Sequence, residues 1–289
     1  MKKAYQNSPL ISIIMNCHNG EKFIEQSINS ILRQSYKNWE LIFWDNKSND
    51  NSKKKFLKFK DKRFNYFFSK KYNKLYKARN LAIKKAKGEY VCFLDTDDIW
   101  KSNKLAKQIN FLKINKKFAL VYSDYLIMKN LSISGKISKS RPLYSGKITQ
   151  NLLDNYNIGI LTIMIRKNIL KKTKFSNKLD IIGDFDLMLN ISRNYLIGSI
   201  KEALAIYRIH DDNYSKKKMN IHIKEITKWI EINKIKKFKN FSFLNLEKEK
   251  NLLELKQNLI NKDLLKLPKN ILRHIFFYFS NIFGRVVQW

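Results

Sequence analysis

Acidic residues are in short supply: 24 Asp and Glu stand against 58 Lys and Arg in 289 residues, a formal net charge of +34. Glycine (8), histidine (4), proline (3) and cysteine (2) are scarcer still, and most of these shortages close a class of function. Neither the Gly-x4-Gly-Lys-Ser/Thr phosphate loop nor the G-x-G-x-x-G dinucleotide turn occurs. Cys17 and Cys92 both sit in apolar runs, which reads as two reduced core residues and a reducing, cytoplasmic compartment rather than a disulfide framework. His18, His210, His222 and His274 lack paired ligand spacing, which disfavours a histidine-built metal hydrolase. Near the N-terminus, Met1 to Ser8 is polar and the run Leu10 to Met15 is too short for a signal-peptide core.

What the chain does have is core material. A hydrophobic content of 44% over this length supports one substantial α/β domain plus an appendage. The basic excess is dispersed: residues 216–289 hold 17 of the Lys and Arg and 6 of the acids, and the rest lie upstream. Specific nucleic-acid binders concentrate such charge on one face, so no specific nucleic-acid partner is expected. A general attraction to anionic surfaces remains open.

Strand and helix patterns alternate from the start. Strands are predicted at Leu10 to Asn16, Glu40 to Asp45, Phe64 to Ser69 and Tyr90 to Leu94, with helices at Glu21 to Gln34, Ser52 to Lys60 and Leu75 to Lys87 between them. This order reads as βαβ units around a largely parallel sheet. Beyond it come a helix Lys101 to Ile114, a strand Ala119 to Asp124, a polar hairpin or loop Ser132 to Ser140 and a strand Ile160 to Arg166. An amphipathic helix then ends near Tyr195 and a strand spans Ile197 to Tyr207, after which the chain is basic and helical.

Asp95, Thr96, Asp97 and Asp98 follow the apolar run Tyr90 to Leu94. Three carboxylates in four positions suit Mg²⁺ or Mn²⁺, hard cations that take oxygen ligands and hold substrate phosphates. The competing reading is a solvated turn in which Asp caps a helix over Ile99 to Leu112. Ligands of parallel α/β sheets bind beyond the carboxyl ends of the strands. Three such ends carry polar clusters, Asn16 to Gly20, Asp45 to Asp50 and Asp95 to Asp98, which favours a site.

Taken in order, these clusters and their neighbours carry a resemblance. They are Asn16-Cys17-His18-Asn19-Gly20-Glu21; Ser30 to Tyr36; Trp44-Asp45-Asn46-Lys47-Ser48-Asn49-Asp50; Ala78-Arg79-Asn80; Gly88-Glu89-Tyr90; Phe93 to Trp100 with its Asp95-Thr96-Asp97-Asp98; Gly183-Asp184-Phe185-Asp186; and Tyr207-Arg208-Ile209-His210. Over about residues 9 to 215 the chain resembles the inverting family 2 glycosyltransferases of the GT-A fold. That resemblance implies an α/β, Rossmann-like nucleotide-diphospho-sugar transferase domain over 1–215, with nucleotide-sugar binding in 9–125 and the acceptor side in 126–215. Residues 216–289 form a basic helical extension.

The resemblance also implies roles. A metal-dependent inverting glycosyltransferase moves a sugar from a nucleotide-sugar donor, a UDP-sugar here, to a hydroxyl of a glycan or lipid-linked acceptor in cell-surface polysaccharide or lipopolysaccharide biosynthesis. Asp97, Asp98 and His210 match metal positions for Mn²⁺ or Mg²⁺, and Asp95 and Thr96 lie with the donor. Asn16, Asn19, Asp45, Asn46 and Arg79 match nucleotide-side positions, although many relatives have a second Asp where this chain has Asn46. Asp184 matches the general base, with the N-cap role as its bland alternative and Asp180 as a second candidate. The competing readings are a surface histidine in a polar turn for His210 and an exposed residue of a lysine-rich helix for Arg79. A noncatalytic sugar-nucleotide or glycan-binding relative of the same fold is the alternative function. Finally, Ile271 to Val287 places aromatic and aliphatic residues beside Arg273, His274 and Arg285. That pattern suits an interfacial helix at the inner face of the cytoplasmic membrane, or a stripe packed on protein.

Overall fold

The computed structural model describes residues 8–129, 132–136, 142–214 and 218–260. The aromatic segment Ile271 to Val287 and part of the loop before Ser140 lie outside the described residues. The described residues divide into two compact units. One takes the chain up to Thr149 together with Asn157–Leu179 and Gly183–Ile209; the other takes Gln150–Tyr156, Asp180–Ile182 and the residues from His210.

The first unit is a nine-stranded mixed sheet with helices. Its N-terminal half runs β1 (Ile11–Cys17), α1 (Ile24–Leu32), β2 (Trp39–Asp45), α2 (Ser52–Leu57), β3 (Phe64–Phe68), α3 (Leu75–Ile83) and β4 (Tyr90–Phe93). These four strands are parallel in the order β3-β2-β1-β4, with Cys17 beside Asp45 and Ile14 beside Phe93. β2 is buried throughout and β1 nearly so, which is why both read as almost unbroken apolar runs. α1 lays Ile24, Ile28 and Ile31 into the core by its helical spacing.

The second half adds β5 (Ile99–Trp100), α4 (Lys104–Ile114), β6 (Phe118–Lys129), β7 (Ser132–Lys136), β8 (Met164–Arg166), α6 (Lys167–Lys172), α7 (Gly183–Ser192) and β9 (Leu196–Ile209), whereas α5 (Thr149–Asp154), between β7 and β8 in sequence, belongs from Gln150 onward to the second unit. The sheet continues β4-β8-β6-β9-β5, with β7 hairpinned onto β6. The helix expected at Lys101 to Ile114 forms from Lys104 and the strand expected at Ile160 to Arg166 is shortened to β8, while the competing reading of a helix opening at Ile99 fails. Ile99 and Trp100 do not open a helix: they pair antiparallel with Ile206 and Ala205, while the Trp100 indole N–H donates to Leu161 O at 2.9 Å. Tertiary pairing of a β-branched and an aromatic residue outweighs the local helical pattern. Ile160–Thr162 is a 3-10 turn rather than strand, closed by the Thr162 N–H and hydroxyl on Gly159 O.

The second unit is built on α8 (Met219–Lys236) and α9 (Leu244–Ile260). Trp229 packs against Phe238 and Phe243. Glu225 accepts the backbone N–H groups of Asp180, Ile181 and Ile182 at 2.6, 2.9 and 3.2 Å. Among the described residues no helix is long and apolar enough to cross a membrane.

Candidate active site

The loops after β1 and β2 are stitched together. Asn46 N–H donates to Cys17 O (2.7 Å), Asn19 N–H to the Ser48 hydroxyl (3.1 Å) and Gly20 N–H to the Ser52 hydroxyl (2.9 Å). Asn19 and Lys47 both take left-handed backbone conformations, φ 56° and 64°, and Asn19 Oδ1 accepts the Asn49 N–H. Gly20 is needed for approach: a Cβ there would lie 2.6 Å from the Thr96 hydroxyl oxygen.

Asp45 is buried, with Oδ1 accepting the Ser48 N–H (2.8 Å) and Oδ2 the Tyr66 hydroxyl (2.6 Å). Asn46 is buried too: its amide donates to Asn73 O at 2.7 Å and accepts the Asn73 N–H at 3.1 Å. A carboxylate could not make both bonds, because it has nothing to donate. Asn46 therefore secures the segment before α3. Asn16, near the end of β1, differs: both polar atoms of its side chain are buried and neither finds a partner among the described residues. Such an amide is the kind of group that a ligand satisfies.

The carboxylate run is held from three sides. The Ser27 hydroxyl bridges the carbonyls of Thr96 and Asp98 (2.7 and 2.6 Å). Arg208 donates its N–H to Asp98 Oδ1 (3.0 Å) and Nε to Asp97 O (2.8 Å), with a third bond to Gln26 Oε1 (2.5 Å). Burial, then the charges of Asp97 and Asp95, raises the Asp98 carboxyl well above its ordinary pKa. Arg79 reaches Asp95 with one nitrogen 2.9 and 2.8 Å from the two carboxylate oxygens. Burial opposes its charge, but Asp95, the Tyr76 phenol and Asp184 hold the guanidinium above its ordinary value.

Asp184 stands in the first turn of α7, where Oδ1 accepts the Tyr76 hydroxyl (3.1 Å) and the Phe185 N–H (2.9 Å). Burial raises its pKa, with the Arg79 charge and these two bonds pulling the other way. Asp186 accepts from Asn190, one turn on, at 2.9 Å. In the second unit, Asp180 takes the Tyr214 hydroxyl and the Lys218 ammonium (2.9 and 3.2 Å). His210, the residue after β9, donates its N–H to Asn213 Oδ1 and accepts the Asp212 N–H on Nδ1.

Arg79 and Asp95 are thus brought together, with Asp184 within reach of the same guanidinium charge. Tyr66, Tyr76 and Asn73 escaped the sequence reading; Tyr76 stands three residues before Arg79, the spacing that puts two helical residues on one face. Among the described residues no three His, Cys, Asp or Glu side chains form a set placed to hold a metal. The donor set still suits Mg²⁺ or Mn²⁺ in the way those ions bind with one or two carboxylates plus substrate phosphates, since Asp95, Asp97 and Asp98 follow β4 within four positions.

Glycosyl transferase family 2 matches residues 12–173. The chain is 37% identical over 212 residues to the Escherichia coli UDP-Glc:alpha-D-GlcNAc-diphosphoundecaprenol beta-1,3-glucosyltransferase WfgD, covering 72% of this chain and 81% of that protein. Among solved structures, S. aureus TarS 1-349 in complex with UDP-GlcNAc superimposes with a TM-score of 0.61 at 18% identity, over 76% of this chain and 66% of that one. Mannosyltransferase PcManGT from Pyrobaculum calidifontis, in complex with GDP-Man and Mn2+, gives 0.57 at 16%, over 78% and 65%. These two share the fold. With the family match spanning more than half of the chain, the protein belongs to glycosyl transferase family 2 and is a glycosyltransferase of the GT-A fold.

Proposed function

We propose that this enzyme transfers a sugar, with inversion, from a UDP-sugar to a hydroxyl of a lipid-linked or glycan acceptor in the synthesis of a cell-surface polysaccharide or lipopolysaccharide. The observation that carries the proposal is Arg79. One buried guanidinium is ion-paired with Asp95 of the strand-end run and shares its field with Asp184, so donor-side and acceptor-side carboxylates gather about a single charge. The activity for which the E. coli relative is named, a glucosyl transfer from UDP-Glc to a diphosphoundecaprenol-linked sugar, supports this choice of donor and acceptor class.

In the proposed reaction Asp184 accepts the proton of the acceptor hydroxyl as its oxygen bonds to the anomeric carbon. The bond from that carbon to the diphosphate oxygen breaks, and the nucleoside diphosphate leaves. Asn16 takes a polar group of the donor, while Asp45, Asn46 and Asn19 shape the nucleoside end. Asp97, with Asp98 and His210, would hold Mn²⁺ or Mg²⁺, which when bound neutralises charge developing on the leaving diphosphate. His210 Nδ1 accepts a backbone N–H, so ligation through Nε2 requires that turn to release it. The aromatic, basic segment Ile271 to Val287 would keep the enzyme at the inner face of the cytoplasmic membrane, near a lipid-linked acceptor.

Thermal shift with a panel of nucleotide sugars, each with and without Mn²⁺ or Mg²⁺, tests donor and metal together, since a bound donor stabilises by RT ln(1 + [L]/Kd). UDP-glucose with metal is expected to raise the melting temperature, and Asp97→Ala to abolish the metal-dependent part. Asp184→Asn is expected to keep that shift and to lose transfer. A panel without any shift sinks the proposal.

A further inference from the structure

We infer that Tyr76 is the positioning residue of the Asp184 base, fixing one carboxylate oxygen so that the other takes the acceptor's proton. The inference deepens the proposed reaction and rests on it. Tyr76 lies in the first turn of α3, is 2% exposed, and donates to Asp184 Oδ1 at 3.1 Å. The Phe185 N–H donates to the same oxygen. Both of these donors fall on Oδ1, so the two oxygens are unequal: Oδ1 carries the Tyr76 hydroxyl and the Phe185 N–H, and Oδ2 is the more basic one.

The phenol is built into this place. Its ring stacks on Phe175 (centroids 5.4 Å apart, 21° between planes) and lies under the Arg79 guanidinium at 5.5 Å. Gly183, next to the base, belongs to the same device. A Cβ at that position would stand 2.3 Å from Cδ2 of the Tyr76 ring and 2.5 Å from two more ring carbons, so a side chain there displaces the ring. The ionisable groups that act on Asp184 are Tyr76 and Arg79, both from α3, with Asp95 beyond the arginine. A hydrogen bond to a charged carboxylate favours its ionised form, so removing the hydroxyl leaves burial less opposed and the base protonated to higher pH.

The test uses the full chain with ¹³C-labelled aspartate carboxyls, Asp184 being assigned by the signal lost in Asp184→Asn. In Tyr76→Phe the Asp184 midpoint is expected to move up. Transfer is then expected to run about tenfold below wild type on the acid side, with the deficit closing as the pH rises. Gly183→Ala, which moves the ring and keeps the hydroxyl, is expected to raise the same midpoint. An unmoved midpoint in Tyr76→Phe overturns the inference, and so does a rate loss in that variant that is equal at every pH. Transfer surviving in Asp184→Asn removes the base and with it the role of Tyr76, whereas an inactive Asp184→Asn beside an unmoved Tyr76→Phe midpoint removes Tyr76 alone.

Discussion

Arg79 and Lys104 are both nearly sealed from solvent, 2% and 0% exposed, and they lie in two differently built regions of the same unit. Arg79 faces the carboxylates that follow β4 and begin α7, and its charge is held. Lys104, the first residue of α4, meets no carboxylate among its described contacts. Its ammonium donates to Gln108 Oε1 at 2.5 Å and Ile163 O at 3.5 Å, and lies 4.2 Å from the centre of the Trp100 ring. Burial pushes its pKa from 10.5 down to about 8. Charge kept under burial requires countercharge, and here the countercharge belongs to residues assigned to substrate. Where only amides and a ring are offered, the same burial makes a lysine easy to neutralise.

The largest effect should come from stripping Arg79 of its partner. Asp95→Asn leaves a buried guanidinium with one carboxylate fewer and should cost about 3 kcal/mol by urea unfolding. Arg79→Met leaves Asp95, whose side chain is 33% exposed, to be solvated, so a smaller cost of about 1–2 kcal/mol is expected after allowing for screening by water. The reverse order would mean that the pair is held by Asp95 rather than by burial of the arginine. At Lys104 the sign changes. Lys104→Met should stabilise by about 2 kcal/mol at pH 7, because it removes a cation whose folded-state pKa is depressed. The unfolded chain binds the proton more tightly, so the penalty is full below about pH 8 and fades as the pH rises towards 10.5. The stability gap between wild type and variant should close over that window.

Much of this was legible in the chain, for reasons that particular residues make clear. β1, β2 and β4 announce themselves because apolar runs buried on both faces end abruptly at Asn16, Asp45 and Asp95. The family could be read because its motifs sit in order at those ends. What stayed hidden depends on partners distant in sequence. Asp45 turns to Tyr66, Asn46 to Asn73 and Asp98 to the Arg208 backbone, 110 residues away, and no local spacing announces such pairs. The competing reading, a helix already running from Ile99, fails for the same reason, since β9 supplies the competing strand. Lys104 is one of many lysines in the chain and nothing in its local sequence marks it, yet it is wholly buried.

The smallest change should be the most telling. Gln108 is fully buried and stands where a carboxylate would make the Lys104 region resemble that of Arg79. Gln108→Glu supplies that carboxylate with almost no change in shape. It also removes the amide N–H donated to Thr162 O at 2.6 Å and sets a carboxylate oxygen against that carbonyl. Desolvation of a second charge largely cancels the gain from pairing, so net stability at pH 7 should fall by only about 1 kcal/mol. The pH dependence should change far more. With a paired carboxylate the folded-state lysine holds its proton at least as firmly as the unfolded one, so the rise in stability from pH 8 towards 10.5 should vanish or invert. If that rise persists in Gln108→Glu, countercharge is not what separates the two buried cations, and the depth of burial alone sets their behaviour.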